Sequence, residues 1–545
     1  MKIAIAQLNF HIGNFEGNLQ KMLKATAEAK SKSADIVVFG ELATCGYPPR
    51  DFVEFKDFIR LSEESVDQLR EASDGIGIIV GSPTINPELQ GKDHHNSVYF
   101  LYNGETILLQ HKTLLPTYDV FDEYRYFEPS TKHKTVMFKG KRIALTICED
   151  LWNLGNENPL YTVCPMDIMM KDNPDLMINV SASPFDYDHA ADRLEVLRAN
   201  VKQYHIPLFY SNICGAQTEI IFDGGSVVFS PDGSVYDEMP YFKEEIRYYQ
   251  LEDVMKGGYH REQPKDKFTL IHDALIMGLQ DYFGKLGLKK AILGLSGGID
   301  SAVTAVMATR ALGKENVRGV LMPSPFSSKH SVEDAKTLAE NLGIRYDIIP
   351  IAKPYEAFLE TLKDVLEEKP FDVTEENIQA RCRGVILMAI ANKHGYILLN
   401  TTNKSEMAVG YGTLYGDLAG GISVLADIYK TEIYQLAAFI NKDEKVIPES
   451  SINKPPSAEL RPGQKDSDSL PEYAILDPIL HHYIEERLGP DEIIDLGYDE
   501  KLVLRILRLV NINEFKRHQT APVLRVSPKA FGVGRRVPIV AKYLS

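Results

Sequence analysis

Two sets of residues in this chain of 545 have types and positions suited to chemistry. The first is a dispersed trio: Glu41 ends the apolar run DIVVFGE, Lys112 sits in LLQHKTLLP, and Cys148 ends RIALTICED. Each falls at or just past the end of a β-rich segment, where a side chain projects from a rigid platform. A deprotonated cysteine is a nucleophile, a carboxylate can take its proton, and an ammonium lowers the thiol pKa and steadies an oxyanion. The trio therefore suits acyl transfer through a thioester. Singly, such a cysteine is more often a small core residue and such a glutamate a solvated one. Cys45, Cys164 and Cys214 lack comparable surroundings.

The second set is contiguous. In AILGLSGGIDSAV a buried strand ends at Gly294 and Leu295, and Ser296, Gly297, Gly298, Ile299, Asp300 and Ser301 lead into a helix rich in Ala and Val. Glycines let the backbone approach an anion closely. The helix start offers free N–H groups and a positive dipole end, and the hydroxyls of Ser296 and Ser301 add donors. The lysine of a G-x-x-x-x-G-K-[ST] loop is missing, and an acid, Asp300, stands in the loop instead. An acid beside phosphates makes sense mainly as a ligand to Mg²⁺.

The elements that must position these groups differ between the halves. Up to about residue 255 the strand candidates are KIAIAQL, DIVVFGE, IGIIVGS, RIALTICE, LMINVSAS, PLFYSNI, SVVFS and SVYDEM. Among them Leu19, Met22, Leu23 and Ala27, and then Leu194, Leu197 and Val201, recur at helical spacing. A polar stretch, KGGYHREQPKDK, interrupts this pattern and predicts a boundary between domains at 1–260 and 261–545. Beyond it AILGL, VRGVLMP, YDIIPI and YILLNT alternate with helical segments, the rhythm of a Rossmann-like, doubly wound parallel sheet. The segment PESSINKPPSAELRPGQKDSDSLPEY is too polar and proline-rich for core. It reads as a functional lid, mobile over 450–470 until ligands bind.

Composition narrows the class. A hydrophobic fraction of 44% and a charged fraction of 25% are those of a globular protein, and no apolar run approaches a membrane span. The start, MKIAIAQLNF, reads as a first strand rather than a signal peptide. Five scattered cysteines with no C-x-x-C pair argue against a disulfide framework or structural zinc, and for a reducing cytoplasm. A net charge of −16 disfavours nucleic-acid or anionic-membrane partners.

With these residues in view, two family resemblances emerge. FGELATCGYPPRD, HKTLLPTYDVFDEYRYFEP and LTICEDLW resemble the three motif regions of the nitrilase superfamily. The likeness implies an α-β-β-α sandwich, with Cys148 as nucleophile, Glu41 as base, Lys112 as third member and Glu123 as auxiliary acid. It also implies Tyr118, Ser181 and Tyr187 near bound glutamine. The SGGIDS loop resembles the pyrophosphate loop of the ATP-pyrophosphatase superfamily, whose members split ATP between its α- and β-phosphates and activate an acceptor as its adenylate. Within it, ENIQARCRG, LLNTTNKSEMAVGYGTLYGDLAGGISVLADIYKTEIYQL and KPPSAELRPGQKDSDSLPEY resemble the blocks of NAD synthetases. That likeness implies ATP along 294–301 and at Thr401, deamido-NAD at Asn377, Arg381, Glu406 and Lys516, and Mg²⁺ at Asp300 and Glu406. It further implies a homo-oligomer formed through this domain, with Lys516 reaching substrate across a dimer interface. Leu414 stands where simpler, ammonia-dependent synthetases carry lysine, so no role transfers to it.

Together the resemblances imply a glutaminase whose ammonia amidates deamido-NAD, with ATP consumed to AMP and pyrophosphate. Free ammonia at neutral pH is mostly ammonium, which has no lone pair, so making it within the same chain is chemically coherent. Other amidotransferases fit less well: there is no G-x-C-x-G elbow, and residue 2 is Lys2 rather than an N-terminal cysteine nucleophile. A hydrolase with a degenerate nucleotide domain is disfavoured by the joint presence of Asp300 and Glu406. A non-catalytic interaction protein would show no glutamine hydrolysis.

Overall fold

A computed structural model describes residues 1–156, 160–263, 266–367 and 369–544. The chain divides into two compact units, Met1–Asp266 and Lys267–Ser545. Residues 264 and 265, within the polar stretch between the two patterns, lie outside the described residues.

The N-terminal unit holds two six-stranded sheets. The first comprises β1 (Lys2–Gln7), β2 (Ile36–Val38), β3 (Gly77–Ile85), β4 (His94–Tyr102) and β5 (Glu105–His111), closed by the late strand Glu245–Gln250 antiparallel to β1. The second contains β6 (Thr135–Phe138), β7 (Lys141–Ile147), β8 (Leu176–Ser181) and β9 (Leu208–Asn212), extended by Val227–Phe229 and Val235–Glu238. In each sheet the three strands at the centre are parallel, β1-β2-β3 and β7-β8-β9.

Strand periodicity explains the layering. Ile3, Ile5, Ile36, Val38 and Ile79 of the first sheet share one core with Ile143, Leu145, Ile147, Ile178 and Val180 of the second, so the sheets face each other. The alternate residues Ala4 and Ala6 point the other way, onto Leu19, Met22 and Ala25 of helix Phe15–Ser31. Ala144 and Met177 likewise meet Leu194, Leu197 and Val201 of helix His189–Tyr204. This is the α-β-β-α sandwich expected.

Strands β4 and β5 were not among the sequence candidates. They form a hairpin over Asn103 and Gly104, both at positive φ (49° and 78°), the geometry that an Asn-Gly pair favours.

The C-terminal unit is built on five parallel strands. Those named here are β10 (Ala291–Gly294), β11 (Val317–Leu321), β12 (Arg345–Ile348), β13 (Ile397–Asn400) and β14 (Ile422–Ser423). Their spatial order is β12-β11-β10-β13-β14, so the winding direction reverses between β10 and β13. Ile292, Val320 and Leu398 pack against Ile378, Cys382 and Leu387 of helix Val373–His394. A second core gathers Met407 and Val409 with the helices Tyr473–Ile484 and Glu500–Ile512. The doubly wound sheet is as expected, and its switch point is where such sheets bind ligands.

Two candidate active sites

In the N-terminal unit, close backbone approaches bring the trio's segments together. At Gly81 an added Cβ would lie 2.3 Å from the Leu42 nitrogen, and at Gly40 it would lie 2.3 Å from Ile213 Cγ2. Only glycine lets β3 and the 40–42 segment run this close. Cys148 opens a 3₁₀ turn directly after β7, with φ at +40°, and is buried. A non-glycine residue in that region is strained, and the strain is held by the Asp150 carboxylate. Asp150 accepts from the backbone N–H of Thr113 and Leu114, each at 2.9 Å, and of Ile147 at 3.1 Å. One acid thus ties the Lys112 segment to the cysteine turn.

The charged groups form one buried network. Lys112 Nζ donates to Glu41 Oε1 at 2.7 Å and to Glu123 at 2.7 and 2.9 Å. Asn96 Nδ2 bridges the same carboxylates at 2.7 and 3.2 Å, Tyr47 donates to Glu123 at 2.8 Å, and the Ala182 N–H donates to Glu41 at 3.0 Å. Burial, then Glu41, pushes the Cys148 thiol well above its usual range, and Lys112 opposes this without prevailing. Lys112 does lower the thiol pKa, as expected, but burial outweighs its contribution. Burial likewise lifts Glu123 to about 7 against the pull of Lys112. Glu41 is thus fixed by Lys112, Asn96 and the Ala182 N–H.

Of the three glutamine candidates, Tyr118 donates to Glu149 Oε1 at 2.9 Å, an oxygen that Tyr161 also reaches at 2.7 Å. Ser181 is fully buried and gives its hydroxyl to Asn179 at 2.6 Å, while its carbonyl accepts from the Glu41 N–H at 3.3 Å. Tyr187 is half-buried on the loop between β8 and helix His189–Tyr204. Asn96, Asp150 and Glu149 escaped the sequence reading. Glu149 and Asp150 sit beside Cys148 in CED, which was signal enough; Asn96 carried none.

In the C-terminal unit, a cavity of about 310 Å³ opens at the switch point. Gly294, Leu295, Ser296, Gly298, Ile299, Asp300 and Ser301 line it, with Thr401 and Glu406. Gly297 has φ +77°, and a Cβ there would lie 2.1 Å from the Ser331 carbonyl, so no other residue fits. Ser301 Oγ accepts from the Ser296 N–H at 3.3 Å and faces its hydroxyl at 3.1 Å, which closes the turn into helix Ile299–Leu312.

Two carboxylates meet in this cavity around groups that the sequence reading did not single out. Lys430 bonds Asp300 and lies 3.8 Å from Glu406. Asn403 donates to Asp300 at 3.0 Å while its oxygen caps the Glu406 N–H at 2.9 Å. Burial, then Asp300, raises Glu406 to about 8, partly countered by Lys430. Arg383, with Nε on the Met322 carbonyl at 3.1 Å, adds a second cation to the lining. An all-oxygen pair of acids beside an anion-binding loop fits a hard cation such as Mg²⁺.

Asn377, Arg381 and Lys516 do not line this cavity but converge on the segment 410–414. Asn377 accepts from Thr413 at 2.8 Å, Arg381 donates to the Leu414 carbonyl at 3.3 Å, and Lys516 donates to the Gly410 and Gly412 carbonyls at 2.7 and 2.9 Å. The segment expected to be a lid does face the cavity, through Lys454, Ser457, Glu459 and Leu460 among others. Glu459 accepts from Ser331 Oγ at 2.7 Å and Ser328 Oγ at 3.0 Å, and Gln379 holds the Leu460 carbonyl at 2.9 Å.

Comparison with known proteins fits this division. Residues 2–256 match the carbon-nitrogen hydrolase family model, and residues 271–520 match the NAD synthase model. Over 99% of both chains the sequence is 43% identical to a glutamine-dependent NAD(+) synthetase of Synechocystis. It is 40% identical to one of Thermotoga maritima, over 100% of this chain and 99% of that one. A solved glutamine-dependent NAD⁺ synthetase from Acinetobacter baumannii, in complex with ADP, superposes with a TM-score of 0.79 at 36% identity, covering 99% of this chain and 98% of that one.

Proposed function

The chain belongs to the glutamine-dependent NAD(+) synthetases, and we propose from its two sites how it amidates deamido-NAD at the expense of ATP and glutamine. In the N-terminal unit Glu41 takes the Cys148 proton as sulfur adds to the glutamine carboxamide carbon. The carbonyl electrons move to oxygen, next to the Lys112 ammonium. Collapse of this adduct expels ammonia, which leaves with the proton from Glu41. Water, deprotonated by Glu41, then splits the thioester to glutamate and restores the thiol. Glu123 and Asn96 hold Glu41 and Lys112 in register, and Tyr118, Ser181 and Tyr187 border the glutamine.

In the C-terminal unit the 294–301 loop and Thr401 hold ATP. The nicotinate carboxylate of deamido-NAD attacks the α-phosphorus and pyrophosphate leaves; ammonia then adds to the acyl carbon and AMP departs, giving NAD. Asp300 and Glu406 are the residues that would hold Mg²⁺, which neutralises phosphate charge when bound. Asn377, Arg381 and Lys516 position deamido-NAD through the 410–414 segment, and we assign the homo-oligomer to this unit and the enzyme to the cytoplasm.

The observation that supports this reading is the pairing of a buried Lys112–Glu41–Glu123 network in the unit that carries Cys148 with a cavity lined by the 294–301 loop, Asp300 and Glu406 in the other. The test is pyrophosphate release from Mg-ATP and ammonium with a panel of acceptors. Deamido-NAD supports turnover, whereas xanthosine monophosphate, citrulline and aspartate stay at background. Turnover with xanthosine monophosphate and none with deamido-NAD would overturn it.

A further inference from the structure

Behind the cavity of the C-terminal unit lies a cluster that the reaction does not use. His481 and His482 occupy the last turn of helix Tyr473–Ile484, and Glu486 follows just beyond it. The two oxygens of Glu486 each face one imidazole: His481 Nδ1 is 3.3 Å from Oε1, and His482 Nδ1 is 2.8 Å from Oε2. The three ligand atoms lie within 4.8 Å of one another. Among the described residues, no other grouping of three or more His, Cys, Asp or Glu side chains converges in this way.

We propose that His481, His482 and Glu486 form a binding site for one divalent transition-metal ion of the zinc class. The donor set of two imidazole nitrogens and one carboxylate oxygen is the borderline kind that favours Zn²⁺, Co²⁺ or Ni²⁺ over Mg²⁺ or Ca²⁺. A second acid lies near one ligand: His481 Nε2 is 3.6 Å from Glu485 Oε2, beyond hydrogen-bond length, while Glu485 Oε1 accepts from Lys404 at 2.7 Å. The side chains of His481 and Glu486 are about two-fifths exposed (41% and 43%), so water completes the coordination.

The site is linked to the cavity through packed side chains. Lys404 also pairs with Asp427 at 3.0 Å and lies 4.8 Å over the Tyr429 ring, and the His481 ring stands 6.3 Å from that same ring. Tyr429 immediately precedes Lys430, which grips Asp300. A bound ion clamps the helix end to the turn behind this layer. It stabilises the unit without entering the chemistry.

The test uses the untagged full chain carrying Cys148→Ala, which removes the reactive thiol, in millimolar Mg²⁺ to fill hard-cation sites. Co²⁺ is titrated and its visible d–d absorption followed, then displaced with Zn²⁺; melting is recorded with and without Zn²⁺. The expected result is one equivalent of Co²⁺ bound in the micromolar range, a higher melting temperature with Zn²⁺, and affinity weakened about tenfold or more by His482→Ala or Glu486→Gln. Identical titrations of parent and variants, or no saturation, would overturn the proposal and leave the histidines as helix-end side chains hydrogen-bonded to or near Glu486. Should His482→Ala fail to fold, Glu486→Gln alone decides, because it keeps the shape and removes the charged ligand.

Discussion

The two sites share one arrangement, a lysine between two carboxylates, and differ in what surrounds it. In the N-terminal unit Lys112 lies between Glu41 and Glu123 at 2.7 Å from each, and Asn96 bridges both. Its groups sit at strand ends, fixed by a sandwich core on one side and by Asp150 on the other. In the C-terminal unit one cation, Lys430, faces two acids at unequal distance, and one of those acids is pushed to about 8 by burial and by its neighbour. Part of that cavity's wall is the loop segment 454–460. The contrast teaches that a thiol site can be walled by fixed strand ends with its lysine shared evenly by two acids. The phosphate cavity adds Arg383 and Lys454 to its lining, where an anionic ligand would meet them.

The sharpest way to break that comparison is to remove the lysine between the two acids. Lys430→Ala leaves Asp300 and Glu406 without their shared partner, and ATP-dependent pyrophosphate release falls by roughly 10²–10³-fold. Glutamine hydrolysis measured on the same sample stays measurable. If pyrophosphate release is unchanged, Lys430 only balances charge at rest.

The matching substitution in the other unit is smaller in effect. Asn96→Ala removes the bridge between Glu41 and Glu123 but leaves Lys112 in place, so glutamine hydrolysis drops by about 10–100-fold. Synthesis driven by added ammonium is preserved. Equal loss of both would show that Asn96 supports the fold rather than the alignment of the acids.

Stability separates the sites further. The folded pKa of Glu406, about 8, lies above the value near 4.5 of an unfolded glutamate. The folded state therefore binds the extra proton, and this group's contribution is intact below pH 4.5 and lost as pH rises to 8. Glu406→Gln removes that loss. Its melting temperature exceeds the parent's by a few degrees at pH 8, by progressively less toward pH 5, while ATP turnover is abolished. A variant that melts lower at pH 8 contradicts the cost of ionising Glu406 beside Asp300.

The smallest effect is expected at the loop. Glu459→Gln weakens its hold on Ser328 and Ser331, and hydrogen exchange over 454–460 accelerates several-fold without ligand. Exchange that does not change would mean that Gln379 and the Ser457–Gln464 bond carry that segment alone.

Much of this was legible in the sequence because the informative residues lie at element junctions. Cys148 and Glu41 end β-rich runs, and SGGIDS marks a strand-to-helix turn by its glycines. The sandwich was implied by the resemblance to the nitrilase superfamily, and the parallel sheet followed from regular alternation. What was missed has physical reasons. The β4–β5 hairpin, which delivers Lys112, opens on the polar and ionisable run His94–Ser97, which obscured the apolar Val98–Tyr102 and the Asn-Gly turn that follow. Asn96 and Asn403 act by donating across long sequence separations, which no local pattern encodes. Lys430 lies within a block that resembled NAD synthetases, but one lysine before a helix reads as solvated until the fold buries it against Asp300. Asn377, Arg381 and Lys516 were expected around the substrate; only three-dimensional structure revealed their common attachment to 410–414.

The central claim is that thiol chemistry and ATP chemistry belong to separate sites in one chain. It is tested most directly by measuring NAD formation by Cys148→Ala with glutamine and, in parallel, with ammonium chloride. The prediction is loss of glutamine-driven synthesis by about 10³-fold or more, with ammonium-driven synthesis within about twofold of the parent and an unchanged melting temperature. Loss of both activities in a variant that still folds, or glutamine-driven synthesis that survives, would contradict it.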